Sequence, residues 1–219
     1  MKALFLSFLL IGSSIASAPA LAQLMTLPEM TPLDQMPAGA YQLDKTHASV
    51  SWKVSHLGLS RYTARFTQMD AKLVMDVKDP AKSQLVVNIY PMSVTTDFPF
   101  AAETDFDQTL ATGKEWFNAD RFPDIRFVSK RIQVTGKNTG KVFGDLTLLG
   151  TTKPLTLDVT FNGAYRKKFL TNVPALGFSA TASLKRSDWG MTSLIPLVAD
   201  RVDILIEAEF DKVKRSKLI

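Results

Sequence analysis

From Gly144 to Gly163 the chain reads GDLTLLGTTKPLTLDVTFNG, and no other stretch limits the possible folds so tightly. Leu155, Leu157, Val159 and Phe161 alternate with Thr156, Asp158, Thr160 and Asn162, the period of a strand with one dry face and one wet face. Val142, Gly144, Leu146 and Leu148 approach the same turn from the other side. GTTKP between them supplies a flexible Gly and a Pro that interrupts helix and ladder hydrogen bonding. The pair predicts an antiparallel hairpin, and the alternation recurs along most of the chain.

Ala48, Val50, Trp52, Val54 and His56 share one face of an earlier strand, with His47, Ser49, Ser51, Lys53 and Ser55 on the other. Gly58 closes that run and Arg61 to Phe66 begins the next. Ala71, Leu73, Met75 and Val77 follow, then Leu85, Val87 and Ile89 after a turn at Asp79-Pro80. Strands resume with Ile125 and Phe127, and the apolar parity shifts at Ile132 and Val134, as a bulge would cause. Phe178, Ala180, Ala182 and Leu184 form another face, and Val202, Ile204, Ile206, Ala208 and Phe210 the last. The prediction is an all-β fold of about eight strands in an up-and-down antiparallel barrel, because closure removes both sheet edges and leaves room for one ligand or a packed interior. Between Thr95 and Pro123 the pattern breaks; one or two short helices on a long connection are expected, with Thr104 or Asp105 as N-cap.

The ends read differently. Lys2, an apolar run from Ala3 to Ile11 and the triplet Ala20-Leu21-Ala22 predict a signal peptide over 1–22, removed after Ala22, and hence a periplasmic protein. The apolar run is far shorter than the roughly 20 residues that span a bilayer. Residues 23–40, with Pro28, Pro32 and Pro37, are expected to be a linker or N-terminal strap, 41–211 the barrel and 212–219 a basic tail. The chain has no Cys, so it has no site for lipoprotein acylation and no disulfide, and the fold rests on burial. The formal charge of +5 draws on two clusters, Arg166-Lys167-Lys168 and Lys212 to Lys217. No aromatic residues interleave with them, which argues against nucleic acid as a partner. A solvated hairpin tip and tail are one reading. Weak attraction to an anionic membrane surface, about 1 kcal/mol per basic residue, is the other.

His47 and His56 are the only imidazoles. Nine residues apart on a strand, they face opposite sides at roughly 30 Å separation, so they do not share a metal. His56 lies on the Trp52 face, toward the mouth of the interior, as a structural residue or a ligand contact. Glu103, Asp105 and Asp107 imitate the start of a calcium loop, but Gln108 and Lys114 stand where Gly and Glu are required; they read as acids favouring a helix start. No GxSxG turn or glycine-rich phosphate loop is present. Asp188-Trp189-Gly190-Met191 reads equally as core packing or as a pocket rim. No cofactor or metal is required by these residues. An apolar interior without a reactive constellation favours binding, and ten buried methylenes would supply about 8 kcal/mol before association costs.

Four ordered motifs carry a resemblance: HASVSWKVSHLG (His47 to Gly58), WFNADRFPDIRFVSK (Trp116 to Lys130), GDLTLLGTTKPLTLDV, and LGFSATASLKRSDWGM followed by PLVADRVDILIEAEF. Together they resemble the YceI-like family of exported bacterial proteins over roughly Tyr41 to Phe210. The resemblance implies an extended, lipocalin-like barrel whose tunnel holds polyisoprenoid chains, isoprenoid quinones among them, or other long-chain amphiphilic lipids. It assigns the tunnel wall to Val50, Trp52, Val54, Leu73, Leu85, Val87, Phe127, Leu146, Leu157, Phe178 and Ile204, with His56 at the mouth. Phe106-Asp107-Gln108-Thr109 and Trp116-Phe117 replace the family's usual charged stretch and paired Phe.

A periplasmic carrier of such lipids, touching the membrane surface in passing, is the leading expectation. An enzyme or stress factor acting on a lipophilic substrate within the barrel, with His56 and a carboxylate as acid and base, is the alternative. An outer-membrane barrel would need the apolar faces outside and a polar lumen, and alternation by itself does not say which face is which.

Overall fold

A computed structural model describes residues 29–169 and 171–213. The leader with its cleavage site, and most of the basic tail, lie outside the described residues. The strands are β1 (Gly39–His56), β2 (Ser60–Phe66), β3 (Met69–Met75), β4 (Gln84–Ile89), β5 (Val94–Thr95), β6 (Ile125–Val134), β7 (Thr139–Leu148), β8 (Thr151–Tyr165), β9 (Ala175–Lys185) and β10 (Val198–Lys212). One short helix, α1 (Phe106–Thr112), lies between β5 and β6.

All ten strands belong to one antiparallel sheet, in the order β10-β9-β8-β7-β6-β4-β3-β1-β2-β5, and β10 returns to pair with β1. β1 has 18 residues and is long enough to hold two successive partners on one side. Its start pairs with β3 (Tyr41 opposite Leu73) and its end with β2 (Val54 opposite Tyr62). β2 and β3 thus act as one long strand broken at Thr67-Gln68, and β5 continues β4 in the same way. Counted so, the circuit has the eight strands expected from the sequence.

The alternation faces inward. Val50, Leu73, Phe127, Val142, Leu146, Leu157 and Phe210 are buried in a single core cluster. The outer faces carry cross-strand ion pairs, among them Lys45–Asp70 at 2.8 Å, Lys130–Asp145 at 3.2 Å and Arg61–Asp203 at 2.9 Å. An outer-membrane barrel needs the reverse, an apolar band outside and a polar lumen. Among the described residues, no helix is long and apolar enough to cross a membrane. The parity shift read at Ile132 is a bulge, where the pairing with β7 slips between Ser129 and Arg131.

The hairpin at the centre of the sequence reading turns one step earlier than GTTKP suggests. Leu149 and Gly150, with φ of +50° and +73°, make the tight turn, and residues Thr151 to Pro154 already belong to β8. Pro154 stands opposite Asp145, and β8 gains its other partner, β9, only from Asp158 onward. Strand there has one free edge, where a missing N–H is tolerated.

On the side of the barrel where β5 has only two residues, the sheet stops short of β6. The 96–124 connection fills the opening. Asp105 caps α1 by accepting from the Gln108 N–H at 2.9 Å. Asp107 accepts from the Thr96 N–H at 2.9 Å and the Thr96 hydroxyl at 2.6 Å, so the acids that imitate a calcium loop anchor a helix instead. A helix of seven residues is unstable alone; Leu110 and Ala111 bury it against the barrel.

Candidate functional site

The interior is not filled. A larger chamber of about 460 Å³ occupies the half bounded by β2, the 96–124 connection and the 190–198 loop. A smaller one of about 210 Å³ lies toward the β6–β7 turn, with Leu33 of the N-terminal segment in its wall. Val50, Ile89, Leu157 and Ile206 line both chambers. They form a waist between two spaces set end to end, so the interior is an elongated apolar tunnel.

All of the residues that the resemblance assigned to the tunnel wall, and His56, line this interior. Trp52, Val54, His56, Phe127, Leu146 and Ile204 face the larger chamber. Leu73, Leu85, Val87 and Phe178 face the smaller one, and Val50 and Leu157 stand at the waist. Trp52, Leu85, Val87, Phe178 and Ile204 point inward and yet are only half-buried, because part of their surface faces the open chambers.

Sequence reasoning left out the wall supplied by the connection. Phe98, Phe106, Leu110, Trp116 and Phe117 close the larger chamber where strand is missing. Trp52 meets the Phe117 ring edge-on at 6.2 Å, and Tyr62 meets Phe106 at 6.2 Å. The aromatic density of residues 98–122 was the available signal. Tyr62 could have been found too, since it shares a face with Ala64 and Phe66 in the Arg61 to Phe66 run.

Few polar groups reach the larger chamber. His56 is exposed at its mouth. Among the described residues no carboxylate lines this chamber, so the carboxylate that the alternative pairs with His56 is not found in its wall. Arg186 is buried, with every donor nitrogen engaged. It donates to the carbonyls of Ala199 (3.0 Å), Met191 (3.1 Å), Ser193 (2.7 Å) and Val198 (2.7 Å), and so holds the 190–198 loop over the chamber. Burial draws its guanidinium below its ordinary value, and the nearby Asp200 carboxylate partly offsets this. Trp189 belongs to the core, donating to the Leu146 carbonyl at 3.1 Å, whereas Met191 lines the chamber. The two readings of that motif divide between its residues.

In the Arg166-Lys167-Lys168 cluster, Arg166 and Lys167 are exposed as a solvated tip requires, but Lys168 is not. Lys168 is only 14% exposed and bridges Asp44, Glu209 (2.7 Å) and Asp211 (3.4 Å). The start of β1 and the end of β10 carry these carboxylates to the β8–β9 loop. Burial opposes the charge on Asp44, but hydrogen bonds from Lys168, Thr46 and His47 hold its carboxyl well below the usual range. Asp44, His47 and Glu209 lie close enough together to hold a metal ion, but the Lys168 ammonium already bridges the two carboxylates.

Comparison with known proteins agrees with this fold. Residues 41–210 match the YceI-like domain. The chain belongs to the YceI-like family. It is 36% identical over 187 residues to a UPF0312 protein of Pseudomonas fluorescens (strain Pf-5), covering 82% of this chain and 90% of that one. Among solved structures it is similar to the Campylobacter jejuni YCEI protein, at 28% identity and a TM-score of 0.61, covering 74% of this chain and 91% of the other. Burkholderia cenocepacia BcnA shares the fold at 23% identity and a TM-score of 0.65, over 76% and 98% of the two chains. A polyisoprenoid binding domain from Saccharophagus degradans shares it at 14% identity and a TM-score of 0.58, over 80% and 99%.

Proposed function

We propose that this protein carries a long-chain lipid, a polyisoprenoid or an isoprenoid quinone, through the periplasm, and that it acts by binding rather than by turnover. The observation that carries the reading is the tunnel, two apolar chambers joined at the Val50–Ile89–Leu157–Ile206 waist. A sheet that closed only to stabilise itself would pack its interior to near-crystalline density. An elongated greasy void fits a flexible chain, whose burial supplies about 0.8 kcal/mol per methylene. The fold is shared with a domain named for polyisoprenoid binding, in keeping with that ligand class.

The mouth supports exchange with a membrane surface. Leu57, Leu59, Leu194 and Leu197 cluster there, between 51% and 85% exposed, and the Leu57 N–H donates to the Leu197 carbonyl at 2.7 Å. Leu57 and Leu194 also have φ of +52° and +57°, a conformation that costs an L-residue about 1–2 kcal/mol. With Gly58 at φ +70° the Leu57 conformation makes a tight hairpin turn, as Leu149-Gly150 does, whereas the exposed leucines bury nothing in the fold and fit a surface that meets a bilayer.

Native mass spectrometry of the protein purified without detergent from its own periplasm tests the reading, together with lipid extraction. A long-chain lipid adduct is expected, and His56→Gln should retain it. A ligand-free protein that fails to take up added polyprenyl lipid would overturn the carrier reading. Turnover of a lipid that disappears with His56→Gln would replace it with an enzyme.

A further inference from the structure

The smaller chamber is not sealed at the end away from the mouth. β4 pairs with β6 only from Ile89–Ile125 to Val86–Val128. The next amide, that of Leu85, donates to the Ser129 hydroxyl at 2.8 Å, and the bulge follows between Ser129 and Arg131. From there to Val134, β7 is the one strand partner that β6 keeps among the described residues. The wall of the barrel is thus parted between the end of β6 and the Pro80–Lys82 turn that precedes β4.

Val134 shows that the parting reaches the interior. It stands opposite Gly140, and Ile132 opposite the buried Val142, so both belong to the inner face, and both line the smaller chamber. Yet Val134 is 52% exposed. An inward-facing side chain is that exposed where the barrel is open beside it. Gly136, Lys137, Asn138 and Thr139 of the β6–β7 turn line the same chamber and are all exposed, and Pro80 and Ser83 line it from the facing turn. The β6–β7 turn is braced in place. The Thr135 N–H donates to the Thr139 carbonyl at 2.9 Å, and the Phe161 N–H to the Asn138 carbonyl at 2.7 Å. The N-terminal segment covers the other side of this end, along β1. Met36 is buried, Leu33 lies in the chamber wall, and the Tyr41 hydroxyl donates to the Pro37 carbonyl at 2.6 Å.

We infer that the tunnel has a second opening, between the β6–β7 turn and the Pro80–Ser83 turn, through which the far end of a chain longer than the interior leaves the protein. This rests on the lipid-tunnel reading and sets the ligand class within it: polyprenyl chains with no upper limit on length. In a blind tunnel, each unit beyond the last that fits must fold back into filled space, and overpacking of that kind is costly. Here the excess passes out of the barrel, and the units already buried stay buried. Affinity then rises with length while methylenes are still being buried, and levels off once the chain fills both chambers. Val134, facing inward at the opening, is the side chain whose enlargement closes it.

The test uses the full chain and displacement of the neutral dye 1-aminoanthracene by farnesol, geranylgeraniol and solanesol, prenyl alcohols of increasing length. Solanesol is expected to bind at least as tightly as geranylgeraniol. Because the chain has no Cys, Asn138→Cys carries a single thiol for an environment-sensitive fluorophore at the opening. Solanesol should shift its emission further than farnesol does. Val134→Trp should weaken solanesol by about tenfold or more, the equivalent of two methylenes kept out, and leave farnesol within about twofold. Its unfolding midpoint shows whether the fold is kept; if it is not, the label at Asn138 decides alone. Solanesol binding more weakly than geranylgeraniol in the parent protein would mean a blind tunnel. Tight binding of solanesol with a silent label would mean that the excess length leaves by the mouth. Equal loss of farnesol and solanesol in a folded Val134→Trp would mean that Val134 borders the chamber but no exit. Each of these overturns the second opening while the tunnel still binds prenyl chains. If none of the three alcohols displaces the dye, the lipid-tunnel reading itself fails.

Discussion

Gly144 shows what a single residue contributes here. It lies on the inward face of β7, opposite Ser129 at the start of the β6 bulge. A Cβ at this position would press into the Phe127 ring and come within 2.5 Å of the Val128 carbonyl oxygen. The Phe127 ring borders the larger chamber, but the Val128 carbonyl is strand backbone and cannot yield without disturbing the β6–β7 pairing. Gly144→Ala should therefore lower stability by about 1–3 kcal/mol, the usual cost of overpacking, read as a lower urea midpoint with an unchanged slope. Gly177→Ala is the control, because its Cβ would meet Asn162 at an ordinary 3.7 Å; a comparable loss there would mean that β-strand glycines in general, and not the contacts with Phe127 and Val128, set the cost. The alternation of Val142, Gly144, Leu146 and Leu148 was enough to place Gly144 inside. That Phe127 lies over it was not legible, because the contact depends on the register between two strands and on where the bulge shifts it. The same limit applies to Val134. The parity shift at the bulge puts it on the inner face, but the parted wall beside it is a three-dimensional fact.

At the scale of elements, strands and connections were unequally readable. A strand with one wet face writes its period into the sequence, and β1, β7, β8 and β10 could be followed residue by residue. The 96–124 connection has no period, because its side chains reach the chamber from turns and one short helix, so its composition pointed to aromatics without indicating where they face. The turn tips at the mouth were silent for another reason. Nothing in HLGLS or TSLIP marks Leu57 and Leu194 as left-handed, and local preference would put Asn or Gly there. Replacing both with Asn should relieve backbone strain and raise stability by about 0.5–1 kcal/mol per site. It should also reduce co-flotation with phosphatidylethanolamine–phosphatidylglycerol vesicles. A more stable variant that floats as well as the parent would remove the mouth leucines from any role at the membrane.

For the molecule as a whole, the question is whether the interior works as one tunnel or as two unrelated voids, and Leu157 decides it. The residue sits mid-strand in β8, opposite Val142, with a chamber on each side. An indole at this point has open space to enter in both directions, so Leu157→Trp should fold with nearly parental stability, unlike the same change in a close-packed core, which costs about 1–3 kcal/mol. Its effect on binding should depend on chain length. A short ligand lodged in the larger chamber should bind as before, whereas a long chain would be cut off from the smaller chamber. Excluding five methylenes would weaken the long ligand by about 4 kcal/mol. Asp158→Asn, one residue away on the outer face and paired with Lys141, should alter neither binding nor, beyond the 0–1 kcal/mol of a surface ion pair, stability. Titrating short and long prenyl ketones against all three proteins gives the answer. If Leu157→Trp weakens both ligands equally, the chambers do not share one chain; if it unfolds the barrel instead, the waist is packed core and the tunnel ends there.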